Sequence, residues 1–172
     1  MGRLFLYRIG FVVLLFFLAG CSTEKNTALS RRYHNLTAHY NVYFNGKESL
    51  KKGLEKLDNS VEDDYSNILP LFKSSIPSTG KVATADLDNA IQKASKLIQS
   101  HSITKKPKRR KNRSEAYKRF ASREEFNDWV DEAYILMGES YFYKHAFSTA
   151  IENFSYVVRK FKDDPSRYSA YV

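Results

Sequence analysis

Apolar side chains recur every three or four residues through most of this chain, and only 7 glycines and 4 prolines interrupt its 172 residues. A helix turns once in 3.6 residues, so such spacing lines one helical face, whereas a strand needs strict alternation. The expected fold class is therefore all-α. With 12 tyrosines and 12 phenylalanines, the chain has enough bulk to fill a core and does not read as disordered. Cys21 is the only cysteine, which excludes an intrachain disulfide and leaves stability to packing.

The first 20 residues read as a processing signal rather than as part of the fold. Arg3 and Arg8 flank or precede an apolar run from Ile9 to Ala19. That run is too short for a membrane span, which takes about 20 residues, and suits a cleaved signal peptide. Leu18-Ala19-Gly20-Cys21 resembles the lipobox of bacterial lipoproteins. The resemblance implies that residues 1–20 are removed and that the Cys21 thiol carries a diacylglycerol. Several acyl chains, at about 0.8 kcal/mol per buried methylene, hold a protein on its bilayer far better than one myristoyl group. Gly2 is not a myristoylation site, because position 6 is Leu. Loss of Arg3 and Arg8 with the leader lowers the net charge from +9 to +7.

Residues 21–27 are expected to be a polar tether, followed by an amino-terminal helical region over 28–100. Tyr33, Leu36, Tyr40 and Tyr43/Phe44 follow one helical face, and Asn45-Gly46 reads as a stop signal. Leu50, Gly53/Leu54 and Leu57 then mark a second helix, so residues 28–58 are expected to form an antiparallel pair. The tyrosines at 33, 40 and 43 read as core, with a ligand-stacking surface as the alternative. Pro70, Pro77 and the acids Glu62, Asp63 and Asp64 place a loop at 60–80, whose Ile68, Leu69, Leu71 and Phe72 should pack on neighbouring elements. Asp86 and Asp88 suit the first turn of a third helix running to about Gln99. Its inner face is expected to be Leu87, Ile91, Ala94 and Ile98.

Residues 101–121 read as a basic linker. Lys105, Lys106, Lys108, Arg109, Arg110, Lys111 and Arg113 carry seven positive charges with no acid between them. Like charges repel, so the run stays solvated, either as a mobile linker or as a contact for anions. Nucleic acid is set aside by the lipobox, which leaves anionic head groups or an acidic protein surface as partners, at about 1 kcal/mol per basic residue.

Residues 122–165 carry the strongest pattern. Ser122-Arg123-Glu124-Glu125 reads as a capping box. Trp129, Ala133, Met137, Gly138 and Tyr141 mark one helix, and Ala150, Phe154, Val157 and Phe161 a second. The pair resembles a tetratricopeptide repeat, in which small residues such as Gly138 and Ala150 let two helices approach. Tyr134 stands in the usual Trp place, Met137 in a Leu place and Val157 in a small-residue place, and the closing Pro165 comes late. By analogy with such repeats, Glu132, Ile135, Glu139, Phe142 and Tyr143 would line a concave partner-binding face. Ala170-Tyr171-Val172 aligns with Ala133-Tyr134-Ile135, so 166–172 reads as the start of a further, truncated repeat. Arrays of this kind need about three repeats, so the expectation is an α-solenoid of helical hairpins, incomplete at its carboxy end.

Four blocks in order, Cys21-Ser22-Thr23, Tyr33 to Gly46, Asp64 to Pro70 and Trp129 to Phe161, are similar to one family. They resemble the SprE/PorW-like tetratricopeptide-repeat lipoproteins of the Bacteroidota type IX secretion and gliding-motility machinery. The resemblance implies an outer-membrane lipoprotein facing the periplasm, without catalytic activity or cofactor, that ties protein components of a secretion or motility complex together. A glycan-capture surface lipoprotein and an outer-membrane barrel-assembly repeat lipoprotein share the anchor and the repeats. Ser22-Thr23-Glu24-Lys25 lacks the acidic tag of surface-exported lipoproteins, which favours the periplasmic side.

Catalytic signatures are missing. His34, His39, His101 and His145 have no zinc-ligand spacing. Gly80-Lys81-Val82 lacks the earlier glycine and the hydroxyl of a phosphate loop. No nucleophile has a base beside it in the pattern, so the chain reads as a non-enzyme.

Overall fold

The computed structural model describes Thr23 and residues 25–76, 79–109, 114–162 and 165–171. Among these residues every regular element is helical and no strand occurs, so the fold is all-α. The signal segment with Cys21, and Arg110, Lys111 and Arg113 of the basic run, lie outside the described residues.

The chain begins as one long rod. Helix α1 (Ala28–Thr37) passes into a π-helical segment (Ala38–Tyr43) and then α2 (Phe44–Asn59) without leaving helical dihedral angles. Thr27 caps the start, its hydroxyl accepting from the Ser30 amide at 3.1 Å. The turn expected at Asn45-Gly46 does not exist. Gly46 is buried inside the helix, and a Cβ built there would stand 2.9 Å from Leu136 Cδ2 and 3.1 Å from Lys93 Cβ. The glycine permits three helices to meet, a use that its neighbour asparagine disguises as a stop signal.

After Asn59 come a 3₁₀ turn (Lys73–Ser75), α3 (Thr79–Val82), α4 (Thr84–His101), α5 (Glu115–Ser122), α6 (Val130–Tyr143), α7 (Phe147–Lys160) and α8 (Ser166–Ser169). The long helices form a row in which α4 lies between α2 and α6, and α7 covers the far side of α6. Each neighbour is antiparallel to the next. Lys56 pairs with Asp86 at 2.5 Å and Asn89 donates to Ser49 at 2.9 Å along α2 and α4. Lys144 pairs with Asp88 at one end of α4 and α6, while Asn127 reaches the His101 carbonyl at the other.

The core of α4 is Leu87, Ala90, Ala94 and Leu97, all fully buried, with Ala38, Val42, Leu50 and Leu57 on one side and Val130, Ala133 and Leu136 on the other. Ile91 and Ile98, expected on the inner face, are only partly buried. A helix flanked by two others buries more than a single stripe, and the alanines, easily overlooked by hydrophobicity, mark the closest approach. Across α6 and α7, Gly138 faces Phe154, whose ring would lie 2.5 Å from an added Cβ. The reversal between these helices uses His145 in the left-handed region at φ 61°. Ala170, just past α8, returns to bury itself with Ile135 and Val157.

Three further expectations are corrected. Ser122 ends α5 instead of opening a helix, its hydroxyl donating to the Arg119 carbonyl at 2.7 Å. The capping box is thus not formed. Glu125 is buried, and its Oε1 accepts from the amides of Ile103 at 2.7 Å, Phe126 at 3.0 Å and Asn127 at 2.9 Å, while Oε2 accepts from Ser102 Oγ at 2.5 Å. This carboxylate joins the end of α4 to the approach to α6. Second, the expected linker contains α5, started by Ser114, whose Oγ accepts from the Tyr117 amide at 3.2 Å. Third, the loop does not pack: Ile68 is 100% exposed and Leu71 88%. Asp64 holds its tip in shape, accepting from the Ser66 amide at 3.0 Å and from Asn67 Nδ2 at 2.6 Å.

Two substitutions test these assignments. Gly46→Leu is expected to lower unfolding stability by about 1–3 kcal/mol in urea titrations, through overpacking against Leu136 and Lys93. A stabilising effect, which helix propensity alone would give, would show that the three-helix contact is wrong. Glu125→Ala is expected to cost about 3 kcal/mol, because buried amides lose their acceptor, and amide exchange at Ile103 and Asn127 should accelerate in step.

Candidate functional site

The open face of the rod carries Leu29, Tyr33, Leu36, Tyr40 and Phe44, each exposed by about half or more. Their spacing of four, three, four and four keeps them in one row. Tyr33 and Tyr40 are therefore surface residues, not core, and the buried side of the rod is His34, Ala38, Val42 and Gly46. Two complementary apolar faces on one helix leave the sequence unable to say which is inside.

Beside this row lies a groove of about 630 Å³, bordered by Arg31, Arg32, Leu36, His39 and Tyr40 from the rod and by Phe120, Arg123, Phe126 and Trp129 across it. A smaller hollow of about 340 Å³ continues it past His39 and Trp129 to Tyr43, Phe44, Lys47 and Glu132. The wall between them is the His39 ring stacked on Trp129, with centroids 3.7 Å apart and planes at 8°. Asn35 fixes the two sides, donating to Asp128 Oδ2 at 2.8 Å and accepting from the Asp128 amide at 3.1 Å. Arg31 lies 4.8 Å over Phe120, and Arg123 pairs with Asp128 at 3.4 Å. Arg32 has an exposed side chain at the rim. The groove thus combines aromatic surface with an excess of guanidinium charge.

Electrostatics in the smaller hollow follow from burial. Tyr43 donates to Glu132 Oε2 at 3.3 Å, and burial, then the Glu132 charge, push its phenol above the ordinary range. Burial also raises the Glu139 carboxyl, with Lys47 opposing and Glu132 reinforcing the shift. Beneath the first turns of the rod, His34 Nδ1 and His101 Nδ1 are 2.9 Å apart. Histidines 67 residues apart in sequence meet here, which spacing alone did not suggest. Burial foremost, then the positive charges of His34 and Lys96, lower the pKa of His101. Among the described residues, no group of three or more His, Cys, Asp or Glu side chains could hold a metal ion.

Of the five residues expected to line a partner face, only Glu132 borders the groove. Glu139 and Tyr143 are half-buried, and Phe142 is exposed within an edge-to-face cluster with Tyr143 and Phe147. Ile135 is buried with Val157 and Ala170, and so presents no surface to a partner. The repeat analogy missed this because α8 and Ala170 fold back over that face. Sequence reasoning also passed over His39, Arg31, Arg32 and Trp129 as groove residues, although three of them stand in or beside the Tyr33–Gly46 block. In the basic run, Lys105, Lys106, Lys108 and Arg109 are exposed but tied down. Lys106 Nζ donates to the carbonyls of Ser122 at 3.0 Å and Arg123 at 2.5 Å, and Tyr117 donates to the Lys108 carbonyl at 2.6 Å. This half of the run is held against α5, not a free linker.

Comparison with protein families and with curated proteins gives no match to this chain.

The histidine pair yields a pH prediction. A folded-state pKa below the ordinary imidazole value of about 6.5 means that the unfolded chain binds the proton first. Stability from neutral His101 is complete above that value and is lost as pH falls toward the folded pKa. Thermal melting should drop between pH 7.5 and 5, and His101→Gln should flatten the drop. An equal drop in both proteins would show that another group controls it.

Proposed function

We propose that this protein is a non-catalytic, lipid-anchored scaffold on the periplasmic side of the outer membrane, acting in type IX protein secretion and gliding motility. Cys21 is its acylation site. The observation that carries the reading is the exposed row of Leu29, Tyr33, Leu36, Tyr40 and Phe44 beside a cationic, aromatic groove. Large apolar side chains aligned along a helix are costly to leave in water and mark protein contact surfaces. Most of the row falls inside the Tyr33–Gly46 block that resembles the secretion lipoproteins. The chemistry of the groove suits a partner segment that brings acidic and apolar side chains together, since Arg31, Arg32 and Arg123 outweigh Asp128.

The glycan-capture alternative would use an open aromatic platform. One face of Trp129 is already taken by His39, and Tyr43 lies 5.1 Å from its ring, so the indole is poorly placed to stack on a sugar.

Deletion of the gene is expected to block export of proteins with type IX signals, and gliding where the organism glides, while glycan uptake stays normal. Complementation with Leu36→Ser/Tyr40→Ser should leave folding unchanged, because both side chains are exposed, and should fail to restore export. Normal secretion in the deletion strain with poor growth on one polysaccharide would transfer the assignment to glycan capture.

A further inference from the structure

The acylated end of the chain and the exposed part of the basic run meet at one place. Asn26 Nδ2 donates to the Lys105 carbonyl at 2.6 Å, although 79 residues separate them. Asn26 Oδ1 accepts from Arg31 Nη1 at 2.5 Å, so a single side chain ties the basic run to the first turn of the rod. Only five peptide steps separate Cys21 from Asn26. A fully extended chain advances at most about 3.6 Å per residue, so Asn26 can stand no more than about 18 Å from the lipidated residue, whatever path the tether takes.

That bound changes the meaning of the charges. Lys105, Lys108 and Arg109 have exposed side chains next to Asn26, with Lys25, Lys118 and Arg119 also exposed nearby in sequence or on α5. The acids around them are engaged: Glu115 pairs with Lys118 at 2.6 Å, Asp128 with Arg123 at 3.4 Å, and Glu125 is buried against amides. Glu24 of the tether is offset by Lys25. A soluble protein would sample an anionic surface rarely through such a patch. One held within a tether's length of it does so continuously, and attraction over a Debye length of about 8 Å then suffices to seat it.

Resting on the lipoprotein reading above, we propose that the face formed by Lys105, Lys108 and Arg109 beside Asn26 docks onto anionic phospholipid head groups of the leaflet that carries the Cys21 anchor. The tether supplies proximity and the patch supplies orientation. The amino-terminal end of the rod then sits at the bilayer, and the row from Leu29 to Phe44 leads away from it toward partners.

The test uses the processed full-length lipoprotein reconstituted in vesicles of phosphatidylethanolamine and phosphatidylcholine, with or without phosphatidylglycerol. Ala116→Cys, exposed on α5, takes a dye, since acylated Cys21 cannot. Energy transfer to a head-group-labelled lipid then reports how close α5 lies to the bilayer. Transfer should rise when phosphatidylglycerol is included and should lose that rise in high salt. Lys105→Gln/Lys108→Gln/Arg109→Gln should also lose it, with the circular dichroism spectrum unchanged. Equal transfer on neutral and anionic vesicles would overturn the docking face and leave the charges to an acidic protein surface. Labelling with a palmitate analogue separates the two levels of failure. No label on Cys21 removes the anchor and this inference with it, whereas label without lipid-dependent transfer removes the inference alone.

Discussion

A helix that must satisfy neighbours on two sides governs this architecture. Helix α4 touches α2 with one flank and α6 with the other, and it can do so because Ala90 and Ala94 keep its centre thin while Leu87 and Leu97 fill its ends. Gly46 in the rod supplies the matching gap where α4 and α6 both come near. Close-packed interiors gain from many short contacts and lose quickly when a methyl group is added in the wrong place. Everything functional is positioned from this contact. The rod is held so that one side is buried and the other is open, and Trp129 is brought under His39 because α6 starts where Glu125 and Asn127 secure it to the end of α4.

The fold class and the pairing of two helices around Gly138 were legible in the sequence, since both depend on local spacing and a small residue at a crossing. The continuous rod was not. Its buried residues fall at 34, 38, 42, 46 and 50, a repeat of four, which lies between the 3.6 of an α-helix and the wider turn of a π-helix. Neither template matches such a pattern, and Asn45-Gly46 offered a simpler explanation. Glu125 was misread for a related reason. Its position three after Ser122 fits a local cap, whereas its actual amide partners include Ile103, 22 residues away. Local motifs and distant clamps use the same side chains, and spacing alone favours the local one.

Surface and core were also confused on the rod. Tyr33 and Tyr40 line up as well as Ala38 and Val42 do, and bulk suggested that the tyrosines were inside. Close approach to α4 instead selects the small side chains for the interior and leaves the large ones in solvent. A face rich in tyrosine and leucine next to arginine is then available for recognition, while the analogy-based face around Ile135 is occupied by the chain's own continuation at Ala170.

The π-helical segment has a consequence for how this surface can change. The Phe44 amide bonds to the His39 carbonyl, five residues back, so one residue more than an α-helix requires is wound into the rod between Ala38 and Tyr43. Loss of a single residue there would let the segment close into ordinary α-helix and rotate everything after it by about 100° relative to everything before. Leu29, Tyr33 and Leu36 would keep their place while Phe44 and Lys47 swung away, and Gly46 would leave its contact with Leu136. The row and the core are therefore phased by the same extra residue, so the length of this short segment is under tighter constraint than the identity of its exposed side chains.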